Sequence, residues 1–153
     1  MVFGLISSLD NETTKYIFRG KRITEEHYIP NYEIGRTVSN LKSGDTVYAI
    51  SVNRFDSISH LMAIGQLCMQ KGVALRFIGQ PSLDIANGKY WRDAVLWQMQ
   101  EMRKSEMMTI GILHQRMQMN AEGWEIVRRC IERMSMEILA HTFSPVGILK
   151  RGN

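Results

Sequence analysis

The stretch Val52-Asn53-Arg54-Phe55-Asp56 concentrates groups able to do chemistry. It follows a β-branched, apolar run, Thr46-Val47-Tyr48-Ala49-Ile50, and precedes a helical pattern. A guanidinium at the end of a strand offers a rigid fork of donors that matches phosphate. If the strand is parallel to its neighbours, that end is also where α/β folds gather functional groups. The plain alternative is that Arg54 caps the strand end or closes a salt bridge there. Other chemistries find no support in spacing. His27, His60, His114 and His141 are scattered, and none pairs with a cysteine or carboxylate at ligand spacing, so no metal site is expected. The chain has no Walker A loop, no GxGxxG and no GxSxG elbow, and no cofactor is expected. Trp91 and Trp97 read as packing rather than a base-stacking platform.

The elements that must position these residues fall into two halves. In the first, Val2 to Ile6 is a short apolar run bounded by Ser7, Ser8, Asp10 and Asn11, a buried strand followed by a turn. Lys15 to Ile29 reads as a hairpin or an extended crossover. Asn31 to Leu41 carries a short helical stripe at Ile34, Val38 and Leu41. Thr46 to Ile50 is a second buried strand. Ile58, Leu61, Met62, Ile64, Gly65, Leu67 and Cys68 keep helical spacing, and Lys71-Gly72 ends that helix as a C-cap should. Val73 to Ile78 is a third strand. Strand, helix, strand with short joints predicts an α/β fold with a mainly parallel sheet and flanking helices.

In the second half, proline is absent from Tyr90 to Met119, with Gly111 the only glycine, so a long helix is expected. Asn120 to Gly123 can interrupt it. Trp124, Val127, Ile131, Met134 and Ile138 form the stripe of a second amphipathic helix. Glu125 with Arg129, and Arg128 with Glu132, are expected on its outer face at i+4 spacing. The organisation is therefore a core over 1–89, a helical segment over 90–141 that packs on or extends it, and a tail over 142–153.

Composition narrows the functional classes. Hydrophobic residues make up 44% of the 153, which supports a real core and excludes wholesale disorder. No apolar run approaches the length of a membrane span, so no membrane partner is expected. The start has no basic n-region of a secretory signal. Cys68 and Cys130 read as two core thiols in a reducing cytoplasm. A net charge of +4 permits nucleic acid without demanding it. Eight of the 11 methionines fall from Met99 onward, and methionine-rich helices make adaptable apolar surfaces.

The order Leu41-Lys42-Ser43-Gly44-Asp45, strand, Val52-Asn53-Arg54-Phe55, helix, Lys71-Gly72-Val73-Ala74-Leu75-Arg76-Phe77-Ile78 resembles the catalytic domain of serine recombinases, the resolvases and DNA invertases. In that family the pattern reads roughly GD, strand, LDRLGR, helix, then a GV strand and a long helix that begins near a Gly-Lys. Asn87-Gly88-Lys89 stands at that place here. Phe3-Gly4-Leu5-Ile6-Ser7-Ser8 resembles the family's first strand, which carries an arginine and the nucleophilic serine in a pattern like GYxRVS. The resemblance covers about residues 1–119 and is closest from Leu41 to Lys89. It implies a resolvase-like fold in which a serine attacks a DNA phosphate and arginines stabilise the charge on the transition state. It also implies a homodimer or tetramer formed through the helix from about Tyr90 to Met119.

The sequence departs from that pattern where the chemistry is concentrated. Asn53 stands in place of Asp, Asp56 in place of Gly and Ser57 in place of the second Arg, while Arg54 matches the first. An ungapped match puts Ser7 where the family has Arg and Leu9 where it has the serine. Ser8 reaches the nucleophile's place only with a one-residue deletion. The region from Asp10 to Leu41 is shorter, so the first helix is expected to be reduced or absent. Losing one preorganised charge at such a site costs about 10² to 10³ in rate. The segment after Ala121 is too short for the family's helix-turn-helix reader. The resemblance thus points to a DNA-recombination protein with reduced or lost strand transfer, Ser8 or Ser7 and Arg54 being its catalytic candidates. Phosphate would be held by Arg54, Asn53, Arg36 and Arg76, with Arg19 and Arg22 as further candidates. The other expectation is a protein-interaction and dimerisation module on the same scaffold without DNA chemistry.

Overall fold

A computed structural model describes residues 1–86 and 89–145. Four strands form one parallel sheet: β1 (Val2–Ile6), β2 (Tyr28–Pro30), β3 (Thr46–Ala49) and β4 (Ala74–Phe77), in the order β2-β1-β3-β4. The joints carry α1 (Glu12–Gly20), α2 (Ile34–Ser39) and α3 (Ile58–Lys71), and a helical hairpin follows, α4 (Asp93–Arg116) and α5 (Ala121–Thr142). The expected α/β class, with a long helix and a second helix after the core, is therefore the one observed. Among the described residues, no helix is long and apolar enough to cross a membrane.

Strand alternation decides where the core lies. Leu5, Val47, Ala49, Leu75 and Phe77 are buried on one sheet face, where they pack with Ile34 and Val38 of α2 and Ile58, Leu61 and Cys68 of α3. Gly4, paired in register with Tyr28 and Tyr48, lies on the other face. There the Phe18 ring of α1 sits where a Cβ on Gly4 would be, 2.7 Å from the ring. One helix thus covers one face and two cover the other, so the chain winds both ways from β1. α3 ends on Gly72, at φ +72°, the left-handed conformation that glycine adopts without a Cβ penalty.

Several sequence expectations are corrected. Lys15 to Ile29 is neither hairpin nor extended crossover: it contains most of α1, a single 3₁₀ turn and the short β2. The first helix is not absent: it is a short one of nine residues. Asn11 caps it by accepting from the Thr13 N–H, and Thr14 and Phe18 supply its buried face. The long helix is shorter than Tyr90 to Met119 and stops at Arg116, with the chain turning through Met117 to Asn120. Trp91 is a core residue whose Nε1–H donates to the Leu83 carbonyl at 2.6 Å, whereas Trp97 is exposed. Cys68 is buried, and burial pushes its thiol up to about 12, but Cys130 is exposed rather than a core thiol. On α5 the buried residues are Met136, Leu139, Ala140 and Thr142, while Met134 and Ile138 of the expected stripe are exposed. The reason is that the C-terminal half of α5 packs into the core at the sheet end, so its buried face is rotated from that stripe. The Asn87-Gly88 part of the resemblance and residues 146–153 of the tail lie outside the described residues.

Candidate functional site

In the order β2-β1-β3-β4 the strand following β1 in sequence lies on one side of it and the next lies on the other. The point of reversal is between β1 and β3, and beyond the C-terminal ends of such strands the connections diverge and leave a crevice. A cleft of about 450 Å³ occupies that position. Ser7, Ser8 and Leu9 reach it from the end of β1, Asn31 from the end of β2, and Asn53 to Asp56 from the end of β3. Its remaining wall is α5, through Glu125, Arg128, Arg129, Glu132, Arg133 and Met136.

Asp10 organises the floor. Its side chain is fully buried and accepts four hydrogen bonds: from the Ser7 N–H (2.8 Å), the Ser7 hydroxyl (3.4 Å), the Thr14 hydroxyl (2.9 Å) and Arg54 Nε (2.8 Å). Arg54, 12% exposed, is thereby fixed across the β1–β3 boundary. It also donates through Nη1 to Asn53 Oδ1 at 2.7 Å. The rest of its guanidinium fork is available to a ligand. Asn53 in turn donates to Glu137 of α5 at 2.8 Å, tying the wall to the floor. Arg54 therefore makes the salt bridge of the plain alternative and lines the cleft as well.

The two serines differ. The Ser7 hydroxyl accepts from the Leu9 N–H at 3.2 Å and donates to Asp10, so it is engaged in the turn. The Ser8 side chain is exposed to the cleft and, among the described residues, its hydroxyl has no partner. Both serines reach the same cleft because β1 ends at Ile6, and strand alternation no longer applies beyond it.

Arg36 and Arg76, expected to bind phosphate, are not brought here. Arg36 is exposed on α2 beside Glu33 (3.8 Å). Arg76 lies on β4, on the face opposite the core, and pairs with Asp84 at 3.5 Å. Arg19 and Arg22, at and just after the end of α1, do not line the cleft either. Ser57, in the place of the second family arginine, is the N-cap of α3 and accepts from the His60 N–H.

The cations come from α5 instead. The pairs expected on its outer face do form, but they line the cleft. Arg128 bridges Glu125 and Glu132, and Arg129 reaches Glu125 at 3.2 Å. The Arg128 guanidinium holds Glu125 below the usual carboxylate range. Glu132 is raised above it, because its burial outweighs Arg128 and because Glu106 of α4 adds like charge. Arg133 has no hydrogen bond or ion pair among the described residues. Sequence reasoning missed Asp10, Asn31 and this arginine face. Arg129 and Arg133, like charges at i+4, were the available signal. Among the described residues no group of histidine, cysteine and carboxylate side chains could hold a metal ion. Chemically, the arrangement can hold an anion beside a free hydroxyl, with Asp10 committed to fixing Arg54 and Ser7. No family model matches the chain, and no curated protein matches it.

Proposed function

We propose that the chain is a serine-recombinase-like protein of DNA recombination, of the resolvase and invertase kind, with reduced or lost strand-transfer activity. The observation that carries this reading is the convergence of Ser8 and Arg54 on one cleft at the β1–β3 reversal. In this reading Ser8, not Ser7, is the hydroxyl that faces a DNA phosphate, since the Ser7 hydroxyl is engaged by Leu9 and Asp10. Arg54, backed by Asp10, holds a non-bridging phosphate oxygen. The weakened chemistry follows from two features: Ser57 caps a helix in place of a second arginine, and no base is within hydrogen-bond reach of the Ser8 hydroxyl among the described residues.

The protein would act as a dimer or tetramer through α4. Beyond Met102 this helix leaves the core and exposes Met107, Met108, Ile112 and, just past its end, Met117. The same exposed residues favour the second reading, a dimerisation module without DNA chemistry. Supercoiled DNA incubated with the protein and then denatured separates the two. The first reading expects salt-sensitive DNA binding and, at most, a trace of protein-linked strand ends that Ser8→Ala removes. Absence of DNA binding at low salt leaves the second. Abundant strand ends linked through Ser7 would overturn the assignment of Ser8.

A further inference from the structure

The arginines of α5 belong to a helix that the recombinase resemblance does not cover, yet they form a wall of the same cleft. Their charges are not equivalent. Arg128 is bound between Glu125 and Glu132 and serves as a frame. Arg129 shares Glu125 and remains largely exposed. Arg133, one turn further along, forms no ion pair or hydrogen bond among the described residues. Like charges at i+4 on a helix repel one another, so this pair is maintained at a cost that an anion between them would remove. Facing them across the cleft are Ser8, with its free hydroxyl, and Arg54, with part of its fork unused.

We infer that α5 completes the cleft as a phosphate-binding site, with Arg133 and Arg129 gripping the phosphate from one side and Arg54 and Ser8 from the other. A volume of about 450 Å³ fits one nucleotide unit rather than a longer stretch of chain. The ligand is thus a single phosphate group, either a phosphodiester of DNA or the phosphate of a free nucleotide. Taken as a DNA phosphate, this rests on the recombinase reading; the site itself does not. Asp56 is the one lining carboxylate without a cationic partner among the described residues, and its repulsion sets the upper limit on how much negative charge the cleft accepts.

Calorimetric titration of the full chain in phosphate-free buffer tests this with three probes: inorganic phosphate, a thymidine dinucleotide with a 5′-phosphate, and a short DNA duplex. The expected result is that Arg133→Ala and Arg129→Ala each weaken the dinucleotide by about tenfold or more, as loss of a charged hydrogen bond does. Arg133→Lys recovers part of the loss, and Asp56→Asn tightens binding. Arg36→Ala, remote from the cleft, changes nothing. If duplex is the ligand, Arg133→Ala also lowers the salt slope by about one. Parent-like binding by both alanine variants overturns the inference, as does failure of the parent to bind any of the three probes at low salt. Arg133-dependent dinucleotide binding with no duplex binding keeps this site and removes the recombinase reading. Duplex binding that needs Arg54 but not Arg133 or Arg129 does the reverse.

Discussion

Replacing Asp10 by asparagine keeps the shape of the side chain and removes its charge. In the native protein the carboxylate is fully buried, accepts four hydrogen bonds and neutralises an arginine whose side chain is only 12% exposed. The amide has one acceptor oxygen. Its NH₂ group, placed where Oδ2 was, would meet the Ser7 N–H donor. Removing one partner of a buried ion pair costs about 3–5 kcal/mol, because the other charge is left buried and unpaired. Arg54 keeps a neutral partner in Asn53 and some contact with solvent, so the lower end applies, about 3 kcal/mol. For a chain of this size that is a fall in Tm of about 6–12 °C. Urea unfolding followed by circular dichroism measures it, with the m-value checked for constancy. Arg54→Met alone should also destabilise, and the double variant should lose less than the sum, by about 1–3 kcal/mol of coupling. A loss below about 1 kcal/mol for Asp10→Asn, or strict additivity in the cycle, would refute the claim that this pair fixes the cleft floor.

Two further perturbations read other parts of the molecule. Gly65→Ala puts a Cβ 2.6 Å from the Trp91 ring, which its hydrogen bond to Leu83 holds in place, so overpacking of about 1–3 kcal/mol outweighs the gain in helix propensity. Gly111→Ala in α4 meets nothing within 4 Å and should instead stabilise by about 1 kcal/mol; the two denaturation midpoints must move in opposite directions. Glu132 provides a pH signature: its carboxyl is raised in the folded state, chiefly by burial, so the native protein binds its proton more tightly than the unfolded chain. Its contribution therefore favours folding at low pH and is lost as pH climbs from the ordinary value of 4.5 through the raised one. Glu132→Gln should flatten that part of the stability-against-pH curve, and an unchanged slope would contradict the assignment.

What could be read from the sequence was local. α3 was legible because its apolar spacing and its terminal Gly72 agree with one another; its serine cap, Ser57, emerged only in the structure. β3 and β4 were legible from β-branched runs between turn residues. α1 was not, since Tyr16-Ile17-Phe18 has strand-like residue types and the helix is decided by the Asn11 cap and by the Phe18 ring docking on Gly4. Arg54 was legible because a strand end is a position in the chain. Asp10 was not, because the partner that gives it meaning is 44 residues away and only the parallel pairing of β1 with β3 brings them together. The α5 arginines were misplaced for a different reason. Acidic and basic residues at i+4 are the ordinary signature of a solvated face, and nothing local marks that α5 folds back across the sheet end.

The charge balance of the cleft bears on how any ligand would reach it. Arg54, Arg128, Arg129 and Arg133 are matched by Asp10, Asp56, Glu125 and Glu132. The site therefore projects little net field, and the +4 of the whole chain is not concentrated there. Long-range steering of a polyanion is thus weak, and selectivity must come from geometry at contact. That geometry is unusual in being divided. The floor is rigid, with Arg54 held by a buried carboxylate from the turn that follows the neighbouring strand. The wall is a helix tied to it through Glu137 and Asn53 and through Met136, Leu139 and Ala140 in the core. An anion entering between them would bridge two parts of the fold that are distant in sequence, so its binding and the docking of α5 are thermodynamically linked. By that linkage a bound anion stabilises the docking of α5 by the same free energy by which docking favours the anion, so the Asn53–Glu137 contact supports the site although neither residue carries the cleft's cationic charge.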